Sequence, residues 1–305
     1  MLGYPKVANA DTAPLTQAQC IASAIQANLD TTVEDEVEAW QEDLEKNPIG
    51  KFEFSSQTPP MQELDLSSLS PANSRRQEVL SVYADIDGFT AYVAANVDND
   101  DAARNVVRVL HVLRSELDSV LDTDFGGLKV RFIGDCIHGL LVEGTAQTPD
   151  GEATLETAAL CAGAMRSSFA LASEVLRQNK IPCSLGLAIG LEYGPVAISR
   201  LGIKGDMVPC AIGRAVWDSE LAQKDCKGSQ TGFGAKAKAK SPTWLAEWMD
   251  ENRRLTGATY DDVVARRDAA KKGSLQRAAS TASAAAAPLA FPARPAAPSK
   301  PAGFA

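Results

Sequence analysis

The stretch LKVRFIGDCIHGLLV, residues 128–142, decides how this chain is read. Two apolar runs, Leu128–Ile133 and Ile137–Val142, flank the turn-forming pair Gly134-Asp135, the pattern of two strands joined by a tight hairpin. Upstream, VLSVYADI (79–86) is a third β-rich run, and it stops at Asp87-Gly88. Between it and the hairpin, Ala102–Leu121 places Val106, Val109, Leu110, Leu113, Leu117 and Leu121 on one side of a helix, and Gly126-Gly127 makes the turn back. Downstream, Glu152–Gln178 reads as a long helix. Strands follow at Ser184–Leu191, Val196–Arg200 and Met207–Ile212, then a helix at Ala215–Lys224. The order β-α-β-β-α-β-β-β-α predicts an α+β fold: a ferredoxin-like core with an antiparallel-rich sheet and flanking helices, not a doubly wound parallel sheet.

Outside this core the composition changes. Leu15–Leu29 and Val33–Leu44 carry apolar residues at helical spacing, the second strongly acidic, and the loops GKFEFSSQTPP and LDLSSLSPANS follow. Residues 1–77 are therefore expected to form a helical N-terminal appendage and loop, and 78–226 the core domain. Residues 227–279 are expected to be a linker, GSQTGFGAKAKAK, and surface helices anchored by Trp244 and Trp248 one turn apart. From Ser280 the chain becomes an Ala/Pro tract with too little apolar pattern to offset its ordering entropy, which predicts a disordered tail over 280–305.

With 305 residues and a net charge of −9, the chain makes a poor phosphate-neutralising surface, which argues against nucleic acid as a partner. No long apolar run and no basic-then-apolar leader opens it, so neither a membrane span nor a secretory signal is expected, and the reading is cytoplasmic. The six cysteines are scattered without a CxxC pair, and His111 and His138 are the only histidines. That excludes a zinc site at motif spacing and predicts packed free thiols. His138 reads as a packed strand residue, and His111 lies on the polar side of its helix.

Two carboxylates stand where strands stop: Asp85 in ADIDGFT and Asp135 in the hairpin turn. Each alone suits a turn or a helix cap. Together, at one sheet edge, their oxygens suit Mg²⁺ or Mn²⁺, which take hard ligands and keep phosphate oxygens in their shell. Gly88-Phe89-Thr90 adds backbone N–H groups at a helix start, where a polyphosphate binds.

The segments YADIDGFT (83–90), RFIGD (131–135), LAIGLEYGPV (187–196) and IGRAV (212–216) resemble the catalytic domain of class III nucleotidyl cyclases, over about Val79–Lys224. The resemblance implies two divalent metal ions, Mn²⁺ or Mg²⁺, held at Asp85, Ile86 and Asp135. It also implies a nucleoside triphosphate substrate near Phe89 and Thr90, and a head-to-tail homodimer whose sites are shared across the interface.

The departures from the family narrow the base. Where adenylate cyclases have a Lys and guanylate cyclases a Glu, this chain has Arg131, and the second base-contacting position, an Asp in adenylate cyclases, is Cys210. The family's Asn and Arg on the last helix fall on Trp217 and Leu221. Arg131 offers donors and no acceptor, and no carboxylate remains for an exocyclic amino group, so uracil fits best. Trp217, if turned inward, narrows the pocket toward a pyrimidine.

This pattern is similar to the bacterial Pycsar-type pyrimidine cyclases, which implies conversion of UTP to cyclic UMP as an antiphage signal read by a separate effector protein. The alternatives are a cytidylate or adenylate cyclase, or an inert nucleotide-binding or dimerisation module. Arg214 is the candidate for a transition-state contact supplied across the dimer, with Arg200 behind it. Lys129, alternating with Arg131, is expected to point the same way.

Overall fold

The computed structural model describes residues 32–46, 51–202 and 205–285, in two compact units. The first unit contains helix α1 (Val33–Lys46). Its start is closed reciprocally: Asp35 N donates to Thr32 Oγ1 at 3.2 Å while Thr32 N donates to Asp35 Oδ2 at 2.9 Å. The helix expected over Leu15–Leu29, Cys20 and the chain beyond Ala285 lie outside the described residues.

The second unit runs β1 (Phe54–Ser55), β2 (Ser74–Asp87), α2 (Phe89–Asn96), α3 (Asp100–Ser119), β3 (Leu128–Ile133), β4 (Cys136–Leu141) and α4 (Gly151–Gln178). It continues through β5 (Gly186–Leu201), β6 (Val208–Ile212), α5 (Arg214–Lys224), β7 (Gln230–Phe233), α6 (Ala235–Lys240), α7 (Thr243–Trp248), β8 (Arg254–Thr256) and α8 (Tyr260–Ala285). The strands form one sheet in the order β3-β4-β2-β5-β7-β8, with β1 beside β2 and β6 beside β5. β3, β4, β2 and β5 are antiparallel, and β7 joins β5 in parallel.

Strand β2 divides the molecule. Leu80, Val82, Ala84 and Ile86 face one way, into the larger core built with Val109, Leu113 and Leu117 of α3 and Leu155, Met165 and Phe169 of α4. Ser81, Tyr83 and Asp85 alternate with them and face α5. There a smaller core joins Met61, Val79, Val130, Leu140, Val196 and Ala215. Helix α5 lies almost against the sheet because Gly190 of β5 has no side chain: a Cβ there would stand 2.1 Å from the Ser219 carbonyl oxygen and 2.3 Å from Gln223 N.

Two expectations need correction. The strands expected at Ser184–Leu191 and Val196–Arg200 are one strand, β5, of 16 residues. Pro195 reads as a break, but it falls between the stretch that pairs with β7 (Ile189–Leu191) and the stretch that pairs with β6 (Ala197–Leu201), a gap where a missing N–H is tolerated.

The stretch read as a linker carries β7 and α6. Its anchor is the buried Glu192, which accepts from Ala237 N at 2.6 Å and Lys236 N at 3.3 Å and so satisfies the start of α6. Trp244 and Trp248 do pack on the core. Helix α8 runs to Ala285.

Candidate active site

Register brings the two aspartates together. Asp85 pairs with Cys136 across the β2–β4 ladder, so it sits beside the hairpin turn that carries Asp135. Burial first, then the charges of Asp135 and Asp87, push the Asp85 carboxyl up from 3.8 to about 6, while a hydrogen bond from the Gln223 side chain pulls the other way. The Ile86 side chain is buried in the core, which leaves its backbone carbonyl as the group it offers.

Two half-buried carboxylates that repel each other fit a hard divalent cation. Among the described residues no group of three His, Cys, Asp or Glu side chains gathers. A divalent ion held here would take its remaining ligands from water and phosphate oxygens, as Mg²⁺ and Mn²⁺ prefer.

β2 is followed by Gly88, whose φ of +87° turns the chain directly into α2. Gly88 O accepts from Tyr92 N at 3.0 Å, so the N–H groups of Phe89, Thr90 and Ala91 open the helix without partners within it. The Phe89 ring is buried and Thr90 is exposed, so the segment is anchored on one side and open on the other.

Arg131 is exposed on β3 opposite His138 of β4, and its charge is felt by Tyr83, His138 and Cys210. Cys210 therefore lies within range of the Arg131 charge. Lys129 is not with them. A bulge between Lys129 and Arg131 breaks the alternation, and Lys129 instead pairs with Asp118 of α3, its ammonium 5.0 Å from the Phe132 ring centre.

His138 is buried, stacks on Tyr83 at 4.4 Å and lies 3.1 Å from Ser81 Oγ, which accepts from Ser219 Oγ of α5 at 2.8 Å. Burial, then the Arg131 charge, holds its pKa down at about 3, so it is neutral at physiological pH.

Helix α5 has two faces. Ala215, Ser219 and Gln223 recur every four residues and face the sheet, whereas Trp217 and Leu221 are 57% and 42% exposed. The structure therefore does not turn Trp217 into the pocket of its own protomer. Arg214 is exposed and paired with Asp218 at 2.8 Å, and Arg200 donates to the Ser67 carbonyl at 3.1 Å.

Two site-forming residues escaped the sequence reading. Gln223 reaches Asp85 from α5, and the every-fourth polar pattern at Ser219 and Gln223 was its signal. Arg114 of α3 donates to the carbonyl of Gly134, next to Asp135, and stacks 4.2 Å over Phe132; nothing local in the sequence pairs α3 with that turn.

Residues 72–210 match the family described as the adenylate and guanylate cyclase catalytic domain. This segment is a class III nucleotidyl cyclase domain. The cyclase domain so defined contains Asp85, Asp135, Arg131 and Cys210 and stops before α5. Over 264 residues the chain is 46% identical to a uridylate cyclase of Pseudomonas aeruginosa, covering 86% of this chain and 51% of that protein. Over 196 residues it is 47% identical to a uridylate cyclase of a Rhizobium species, covering 63% of this chain and 36% of that protein.

A crystal structure of a class III adenylyl cyclase-like ATP-binding protein from Pseudomonas aeruginosa superposes with a TM-score of 0.74 at 47% identity, over 83% of this chain and 54% of that one. The chain thus spans about half the length of the first curated relative and about a third of the second. No helix among the described residues is long and apolar enough to cross a membrane.

Proposed function

We propose that this chain is a metal-dependent nucleotidyl cyclase that converts UTP to cyclic UMP and pyrophosphate. The observation that carries this reading is the meeting of Asp85, near the end of β2, with the β3–β4 turn that carries Asp135, within range of each other's charge, and Cys210 lies within range of the Arg131 charge. Two bound divalent ions would supply charge neutralisation on the triphosphate and activation of the ribose 3′-hydroxyl. In the reaction the 3′-oxygen bonds to the α-phosphorus, the bond to the departing pyrophosphate breaks, and the hydroxyl proton is released.

Asp85, the Ile86 carbonyl and Asp135 hold the ions, and the open N–H groups from Phe89 to Ala91 receive phosphate oxygens. Arg131 donates to a uracil carbonyl, and with Cys210 at the neighbouring position no carboxylate is offered to an amino group. The names of the two uridylate cyclase relatives support this choice of base.

The dimer belongs to the same reading. Val208 and Ile212 of β6 and Trp217 and Leu221 of α5 are all exposed, an apolar face suited to a second copy, and Trp217 and Arg214 then reach the partner's site. The product, made in the cytoplasm, passes to a separate effector in antiphage signalling.

Incubation of the purified chain with each of the four ribonucleoside triphosphates and Mn²⁺ tests the proposal. Cyclic UMP is expected to dominate and to vanish in Asp85→Ala. No cyclic product, or product unaffected by that substitution, sinks the enzyme reading, and UTP binding without turnover supports an inert module instead.

A further inference from the structure

Antiparallel register sets a row of residues across the sheet on the face that carries α5. Arg131 of β3 pairs with His138 of β4, His138 with Tyr83 of β2, and Tyr83 with Gly190 of β5. Directly opposed residues share a face, with Cβ atoms about 5 Å apart. His138 therefore stands between Arg131 and the Tyr83 ring, which stacks on it at 4.4 Å with 17° between the planes. At the inner end of the row the missing side chain of Gly190 admits α5.

His138 is also held from α5. Its Nε2 lies 3.1 Å from Ser81 Oγ, which lies 2.8 Å from Ser219 Oγ. Ser219 Oγ in turn lies 2.9 Å from the Val216 carbonyl. His138, Ser81 and Ser219 are each 1% exposed or less. Packing alone does not call for such a chain, because apolar residues of the same shape would close the seam without taking two hydroxyls and an imidazole out of water. A connected buried polar chain instead selects one ring orientation, since turning the imidazole would leave Nε2 and Ser81 Oγ without partners away from water.

Arg131 has the opposite character. It is exposed, and no hydrogen bond or ion pair among the described residues holds its guanidinium. A long side chain presents its donors in one direction only where something beside it restricts its rotamers. The neighbour in the row is a neutral ring, along which a guanidinium can lie without repulsion.

We infer that His138, pinned by Ser81 and Ser219, is a positioning residue for base selection: it sets the direction in which Arg131 presents its donors. The inference rests on the reading of Arg131 as the group that meets a uracil carbonyl. It adds that the selection is supported from α5, through two buried serines that touch no substrate.

The test uses the full chain with Mn²⁺ and the 3′-deoxy analogues of UTP and CTP, which lack the attacking hydroxyl and so bind without turnover. Calorimetric titration gives the ratio of their dissociation constants. The native chain is expected to favour the uridine analogue, and Arg131→Ala to bring the ratio close to one. Ser81→Ala keeps Arg131 and the imidazole but unpins the ring. It should lower the native preference about fivefold, the worth of one neutral hydrogen bond, chiefly by weakening the uridine analogue. Ser219→Ala, one bond further from the ring, should act in the same direction and less, and it decides the matter if Ser81→Ala does not fold.

A purely structural role for the chain would lower Tm and leave the ratio where it was. A ratio unmoved by either serine substitution, where Arg131→Ala moves it, overturns the positioning role and leaves the base reading standing. If neither analogue binds, or Arg131→Ala leaves the ratio unchanged, the base reading fails and the inference falls with it.

Discussion

Replacing Asp85 by Asn should stabilise the metal-free protein while destroying its response to metal. The carboxyl is raised from 3.8 to about 6 by burial and by Asp135 and Asp87. A folded-state value above the unfolded one means that the charged form is penalised in the fold. The favourable contribution is complete below about pH 4 and is lost as pH rises through about 6. At 1.36 kcal/mol per pH unit the full penalty would be about 3 kcal/mol, but the carboxylate is partly open to water, and screening reduces this to about 1 kcal/mol.

For a unit of this size that corresponds to a gain of about 2–4 °C in Tm. Scanning calorimetry at pH 8 in EDTA reads it directly, and the gain should shrink at pH 5, where Asp85 is already largely protonated. Added Mn²⁺ should then raise the native protein above the variant and reverse the order. A variant less stable than the native chain at pH 8, a gain indifferent to pH, or equal stabilisation of both by Mn²⁺ would each refute the reasoning.

Four further outcomes are expected. Mn²⁺ affinity measured calorimetrically should fall as pH drops below about 6, because protons compete for Asp85, and be flat between pH 7 and 8. Gly190→Ala puts a Cβ 2.1 Å from the Ser219 carbonyl and should cost about 2 kcal/mol by lifting α5 off the sheet, seen as a lower denaturation midpoint. Arg114→Ala frees the Gly134 carbonyl and unstacks Phe132; it should weaken Mn²⁺ binding more than it lowers Tm, and equal loss in both would reduce Arg114 to a packing role. Trp217→Glu, on an exposed face, should leave Tm nearly unchanged but convert a dimer to monomers by light scattering.

Much of this architecture is written in short-range pattern. The alternation in β2 and the hairpin at Gly134-Asp135 place both aspartates, because a period of two fixes which residues share a face and the turn fixes the register. What escaped depends on partners distant in sequence. Pro195 looks like a break until β6 and β7 are seen to leave its edge free. The Gly/Ala/Lys stretch 227–240 looks like a linker until Glu192 supplies the cap for α6. Lys129 is redirected by a bulge, which inserts a residue without changing composition. Gln223 and Arg114 act on backbone and carboxylate groups contributed by other elements, and no local propensity encodes such a meeting.

The long β2–β5 ladder has a consequence for how the chain assembles. Its register joins Arg75 to Ile198 and Asp87 to Gly186, partners separated by about a hundred residues or more, so the central seam closes against a large loop entropy and sets the pace of folding. During synthesis β2 leaves the ribosome with an apolar face that waits for α3, and its edge for β5, until most of the domain has been made. The seam should therefore govern yield in the cell. Slow-translating or seam-weakened variants would be lost to aggregation or proteolysis even where the finished protein is adequately stable.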